Sequence, residues 1–244
     1  MGRLSFSLVL LLAILAVSCA DDRGSLYLAA KKGSLAEVQR FVAEGADINQ
    51  QKPGGFTPLH ASIMYGHPEV TRYLLDQGAD VNVVAIYDLT PLHEATDADT
   101  VRWLLESGAR VDAWSKASGT PLHAAVIGNS EVAVRLLLKF GAPLDAGDTN
   151  GSAALHHAAG KGRRAVVALL IDSGANVDAA NELGFTPLHW AAGNGHAEVV
   201  AQLIDSGATP GLKSHYGTTA RDMAIAKGHA EIARFLEAED AGSS

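Results

Sequence analysis

The chain has 244 residues, 48% apolar and 19% charged, with a formal net charge of −8 at pH 7 and one cysteine. That acidic balance disfavours nucleic acid and anionic membrane surfaces as partners. A single cysteine excludes an internal disulfide framework, so stability has to come from packing.

The N-terminus, MGRLSFSLVLLLAILAVSCADD, carries one early cation, Arg3, an apolar core from Leu8 to Val17, and then small residues. The core is too short to span a bilayer as a permanent helix and fits a secretory signal over residues 1–20. Two cleavage readings stand. In one, Ala16, Val17 and Ser18 precede Cys19 in the manner of a bacterial lipobox, and Cys19 becomes a lipidated N-terminus, although Ala16 sits where leucine is commonest. In the other, Ser18 and Ala20 are the small residues of an ordinary signal-peptidase site and the mature chain starts at Asp21. The protein is expected to be exported: a periplasmic, membrane-anchored lipoprotein in the first case, soluble periplasmic or secreted in the second. Loss of Arg3 moves the formal charge from −8 to −9.

Beyond the signal, one pattern repeats. TPLH stands at 57–60, 90–93, 120–123 and 186–189, with AALH at 153–156. Counted from the threonine position, units start at Gly24, Thr57, Thr90, Thr120, Ala153, Thr186 and Thr219, in steps of 33, 33, 30, 33, 33 and 33. A turn residue suited to positive φ follows at Gly33, Gly66, Asn129, Gly162, Gly195 and Gly228. A second glycine closes each unit's longer helix, at Gly45, Gly78, Gly108, Gly141, Gly174 and Gly207.

The unit starting at Thr186 shows the physics. Thr186 offers a cap and Pro187 takes the first helical position, where its missing donor costs nothing. After Gly195, the residues Val199, Val200, Leu203 and Ile204 form the stripe of an amphipathic helix. One such helix pair cannot bury its own faces, so neighbours must stack, and the chain reads as one domain over 21–238. The unit from Gly24 is a polar cap with GSLY, Lys31 and Lys32; the last has TARD, Arg221, Lys227 and Arg234. The third unit is three residues short, lacks the central glycine and places Asp97 and Asp99 at the turn, so its first helix should lose most of a turn. Residues 239–244 read as a flexible tail.

With TPLH, the central glycine, the paired apolar residues before GA, and tails such as GADVNV at 78–83 and GANVDA at 174–179, the chain resembles an ankyrin repeat protein. The resemblance implies an all-α solenoid of about seven helix-turn-helix units with β-hairpin fingers, and a concave face of fingers and first helices that binds protein. It also implies that the motif histidines His60, His93, His123, His156 and His189 tie each unit's turn to the backbone.

That placement removes the apparent chemistry. Histidines repeated on a template are held apart by the layers, so no metal site is expected. GKGRRA at 160–165 fits a dinucleotide fingerprint by letter, but it follows a helix where that fingerprint needs a strand. The carboxylates Asp47, Asp80, Asp112, Asp145 and Asp178 each belong to a unit's tail, so no pair of them is singled out as acid and base. No catalytic residue and no cofactor is expected.

Binding positions must lie off the template. Tyr65, Tyr87, Trp114, Trp190 and Tyr216 qualify, because large aromatics with few rotors and a polar handle dominate interfaces. Phe56 and Phe185 are set aside as packing residues and Trp103 as core; His157 and Glu94 add polar contacts at matching first-helix positions. The expected function is a non-catalytic, monomeric scaffold in the cell envelope that holds a protein partner and takes no small-molecule substrate, with membrane contact only through lipid at Cys19. Two further readings are a structural or protective role beside an envelope enzyme or complex, and an enzyme with an unrecognised site.

Overall fold

The computed structural model describes residues 25–242, which form fourteen α-helices. The signal segment and Cys19 lie outside the described residues. The chain divides into two compact units, Met1–Ala142 and Pro143–Ser244.

In the first unit, four layers follow in order: α1 (Leu26–Lys32) with α2 (Leu35–Ala43), α3 (Pro58–Met64) with α4 (Pro68–Asp76), α5 (Pro91–Glu94) with α6 (Ala98–Glu106), and α7 (Pro121–Gly128) with α8 (Glu131–Lys139). The second unit holds three: α9 (Ala154–Gly160) with α10 (Arg164–Asp172), α11 (Pro187–Gly193) with α12 (Ala197–Asp205), and α13 (Ala220–Ala226) with α14 (Ala230–Gly242). Within each unit, first helices pack on first helices and second on second.

The repeat explains the stacking. The motif leucine is buried in six first helices, as Leu26, Leu59, Leu92 and Leu122 in the first unit and as Leu155 and Leu188 in the second. Second helices add Leu74, Leu104 and Leu137, then Leu170 and Leu203. Each such side chain contributes about 1.5–3 kcal/mol by leaving water, and truncating one to Ala would cost roughly 2–5 kcal/mol.

Five first helices carry a motif histidine, whose Nδ1 closes the first turn. In α3, α5, α7 and α11 its Nδ1 accepts from the backbone N–H of the motif threonine at 3.1–3.3 Å, and in α9 from that of Ala153 at 3.0 Å. The ring's other nitrogen then carries the proton: Nε2–H of His93, His156 and His189 donates to the carbonyls of Gly119, Phe185 and Thr218 at 2.9–3.0 Å. His60 aims Nε2 at the Leu89 carbonyl without completing a bond. Burial, only partly offset by these carbonyl bonds, lowers His60 and His93 from 6.5 to about 4, and lowers His156 and His189 as well.

Three features depart from or sharpen the sequence reading. The fingers are closed turns rather than β-hairpins: no strand forms among the described residues, and the tips carry one antiparallel bridge, Ser115 with Gly119. Each finger is instead pinched by an N–H to carbonyl bond across four residues, as in Lys52 to Phe56, Ala85 to Leu89, Asp148 to Ser152, Asn181 to Phe185 and Ser214 to Thr218, at 2.7–3.0 Å. Bonds confined to one turn of five residues are too short to propagate a ladder. The third layer is truncated as expected, since α5 has 4 residues where α3 has 7. The last helix runs on to Gly242, so residues 239–242, read as tail, continue α14; Ala238, Glu239 and Ala241 are good helix formers.

Candidate functional site

Each finger tip presents the residue three before the motif threonine. At that register stand Tyr87 (45% exposed), Leu183 (45%) and Tyr216 (69%). Neighbouring tips are tied together: Ile86 N–H donates to Gly54 O at 2.6 Å and Lys116 N–H to Tyr87 O at 2.9 Å in the first unit. In the second unit Glu182 N–H donates to Asn150 O and His215 N–H to Leu183 O, at 3.1 and 3.0 Å. Gly184 shows why such contact needs glycine, because a Cβ there would lie 2.8 Å from His215 N.

The tip at Tyr87 is the most constrained. Tyr87 and Asp88 both have φ of 61°, a left-handed pair without glycine, and each such residue costs about 1–2 kcal/mol. The next finger holds them there: Ser115 Oγ donates to Tyr87 O at 2.8 Å, and Lys116 Nζ pairs with Asp88 Oδ2 at 2.9 Å. Val84 and Ile86 flank this tip, and Trp114 stands exposed on the finger that braces it.

The first-helix position after the motif histidine is occupied differently in the two units. In the first unit it carries Ala61, Glu94 and Ala124. Both Glu94 carboxylate oxygens are shielded and receive no hydrogen bond, and burial pushes the group well above the usual carboxylate range. Burial thus biases Glu94 toward its neutral form and away from the charged contact its letter suggests. In the second unit the position carries His157, Trp190 and Met223. His157 is not a surface residue: its Nε2 lies 3.0 Å from Asp148 Oδ2, and both side chains are mostly buried. Burial would raise Asp148, but hydrogen bonds from His157 and from the Asn150 and Ser152 amides, the last two at 2.7 and 3.0 Å, hold it far below the usual range.

Trp190 packs its ring edge-on to His157 at 5.3 Å and His156 at 5.7 Å, half-buried across α9. Tyr65 is exposed at the turn after α3, beneath the Lys31 ammonium at 5.0 Å. Tyr216 leans on Phe185, their centroids 6.1 Å apart. Trp103, expected in the core, is only half-buried, with the Arg72 guanidinium 5.5 Å from its ring. The structure thus gathers Tyr87 and Trp114 on adjoining fingers of the first unit, and His157 with Trp190 in the second. Val84, Ile86 and Leu183 were missed; Leu183 was findable, because it shares the register of Tyr87 and Tyr216. Among the described residues, no three His, Cys, Asp or Glu side chains gather as metal ligands.

The family model for ankyrin repeats matches residues 26–114, 113–181 and 176–242. The ankyrin repeat domain of human ASB11 superposes with a TM-score of 0.79 at 29% identity, covering 86% of this chain and 96% of that one. The ankyrin repeat domain of Bcl-3 gives 0.75 at 31%, covering 88% and 100%. Among curated proteins, protein phosphatase 1 regulatory subunit 27 of Homo sapiens is 43% identical over 56 residues, 23% of this chain and 36% of that protein. An L-asparaginase of Dirofilaria immitis is 35% identical over 83 residues, 34% of this chain and 14% of the enzyme. These curated relatives are matched over well under two thirds of their length. By its repeat, its stacked helix pairs and these likenesses, the chain belongs to the ankyrin repeat family.

Proposed function

We propose that this chain is a non-catalytic scaffold, exported to the cell envelope, that holds a protein partner against its fingers and first helices. Ankyrin repeats are protein-interaction scaffolds, and one observation supports this face. Of eleven large hydrophobic residues exposed among the described residues, six stand on fingers, Val84, Ile86, Tyr87 and Trp114 in the first unit and Leu183 and Tyr216 in the second. Apolar area kept in water at matching register, on tips already braced by neighbouring backbone, is the arrangement that a rigid interface uses. The short likeness to an asparaginase carries no catalysis to this chain, since it spans 14% of that enzyme.

The envelope assignment rests on the apolar stretch Leu8–Val17 and on Cys19 in lipobox position. Intact mass of the membrane fraction tests it. A chain starting at Cys19 with added acyl mass supports the lipoprotein, whereas a soluble species starting at Asp21 would leave an exported scaffold without its anchor. Capture from the envelope fraction tests the scaffold itself: a stoichiometric protein should be retained by the wild type and lost when Tyr87→Asn and Trp114→Ala are combined.

A further inference from the structure

The residue after the central glycine caps each layer's second helix, and in three layers it is a histidine whose ring fills a slot over the previous layer's glycine. His67 covers Gly33; a Cβ on Gly162 would come within 2.6 Å of His196, and one on Gly195 within 2.6 Å of His229. In two of these the ring also donates Nε2–H to the carbonyl two residues before that glycine, His67 to Lys31 O at 3.0 Å and His196 to Gly160 O at 3.1 Å.

The slot over Gly66 departs from this rule. The third layer's shortened turn puts Asp97 in the histidine's place, and its short carboxylate turns back to accept from Thr100 N–H at 2.8 Å. Nothing lies within 4 Å of where a Gly66 Cβ would be, although Gly66 keeps the left-handed φ of 71° seen at the filled slots. The matching carbonyl is that of Met64, and the residue four further on, which would bond it in a longer helix, is Pro68, which has no N–H. What remains is an open cleft of about 340 Å³, lined by Ser62, Gly66, Thr71, Thr96, Asp97 and Asp99 among others. It keeps the glycine floor over which an imidazole sits elsewhere in the chain, with the Met64 carbonyl at the register of the acceptors of Lys31 and Gly160, and adds the Asp97 carboxylate, beside an Asp99 that Arg102 pairs at 3.1 Å.

We propose that the Gly66 cleft is a socket for an imidazole, supplied as a histidine side chain by a protein partner. That a protein supplies the ring rests on the scaffold reading; that the socket takes the ring does not. The partner's Nε2–H would donate to Met64 O, with Asp97 and Asp99 beside the ring.

The test is an amide-shift titration of the whole protein with 4-methylimidazole, the histidine side chain as a free molecule, and with 4-methylthiazole, which has no N–H to donate. Saturable shifts centred on Gly66, His67, Thr96 and Asp97 are expected with the imidazole, and at least tenfold weaker ones with the thiazole. Asp97→His should fill the slot from within and abolish them, whereas Asp97→Asn, which keeps cap and opening, should retain them. Absent or non-saturating shifts, equal response to the thiazole, or undiminished binding in Asp97→His would overturn the proposal; the thiazole comparison decides by itself should Asp97→His fail to fold. None of these outcomes bears on the finger variants, so the scaffold reading stands or falls separately.

Discussion

Trp190 lies across Gly160: a Cβ added at Gly160 would come within 2.8 Å of Trp190 Cε3. The indole of α11 can cover α9, and reach His157, only because the facing residue has no side chain. Gly160→Ala should therefore push the ring off its seat and cost roughly 1–3 kcal/mol. Trp190→Ala should cost about as much, by uncovering His156 and Gly160. Unfolding midpoints in urea at constant m-value check both; an unchanged midpoint for Gly160→Ala would mean the ring is not held by this contact.

Stability should depend on pH through the motif histidines. His60 and His93 have folded values near 4 against 6.5 unperturbed. Between these limits the unfolded chain binds protons that the folded chain refuses. Their contribution is whole above pH 6.5, falls as pH falls through the window, and is lost below about 4. The shift corresponds to roughly 3 kcal/mol for each ring. Thermal midpoints measured from pH 7.5 to 4 should drop steadily; a flat profile down to pH 4 would contradict the neutral, buried rings.

The truncated third layer should open first. With α5 only 4 residues long, its first helix makes few internal bonds and the slot at Gly66 is uncovered. Amide exchange over Ala95–Val101 should be faster than over the matching turn of the Thr186 layer, which α11 and α12 frame. Asp97→Ala, which removes the cap, should cost about 0.5–2 kcal/mol and widen the gap. Equal protection in the two layers would contradict the weak-layer reading.

How much of this was legible can be seen at particular residues. The threonine–proline start and the motif leucine follow from local chemistry repeated at one period, so helix starts and core were readable from letters alone. The truncation around Asp97 was readable by counting. What escaped depends on contacts between layers or across a finger. Nothing in the letters says that His157 turns to Asp148, nine positions earlier, or that Gly160 makes room for Trp190. Glu94 read as a polar contact because the shielding of its carboxylate arises only once neighbouring layers are in place. The fingers looked like hairpins by family likeness, but the bonds that form stay within one tight turn per loop and no strand ladder follows.

The strained tip gives a prediction of opposite sign. Asp88 sits where other fingers carry Gly55, Gly151, Gly184 and Gly217, and its φ of 61° is costly for any residue with a side chain. Asp88→Gly should stabilise by about 1 kcal/mol. The exposed Lys116 pair it gives up is worth less than that. A lower unfolding midpoint in the variant would show that the ion pair outweighs the strain.

The central claim is that the finger face binds a protein partner. Its most direct measurement is the affinity of the protein captured from the envelope fraction for wild type and for the combined Tyr87→Asn and Trp114→Ala variant, by calorimetry, with melting curves alongside. Both side chains are substantially exposed, at 45% and 43%. The expected result is a loss of on the order of 2 kcal/mol or more, about thirtyfold in Kd, with little change in melting temperature. Undiminished affinity, or a large fall in melting temperature in place of lost binding, would contradict it.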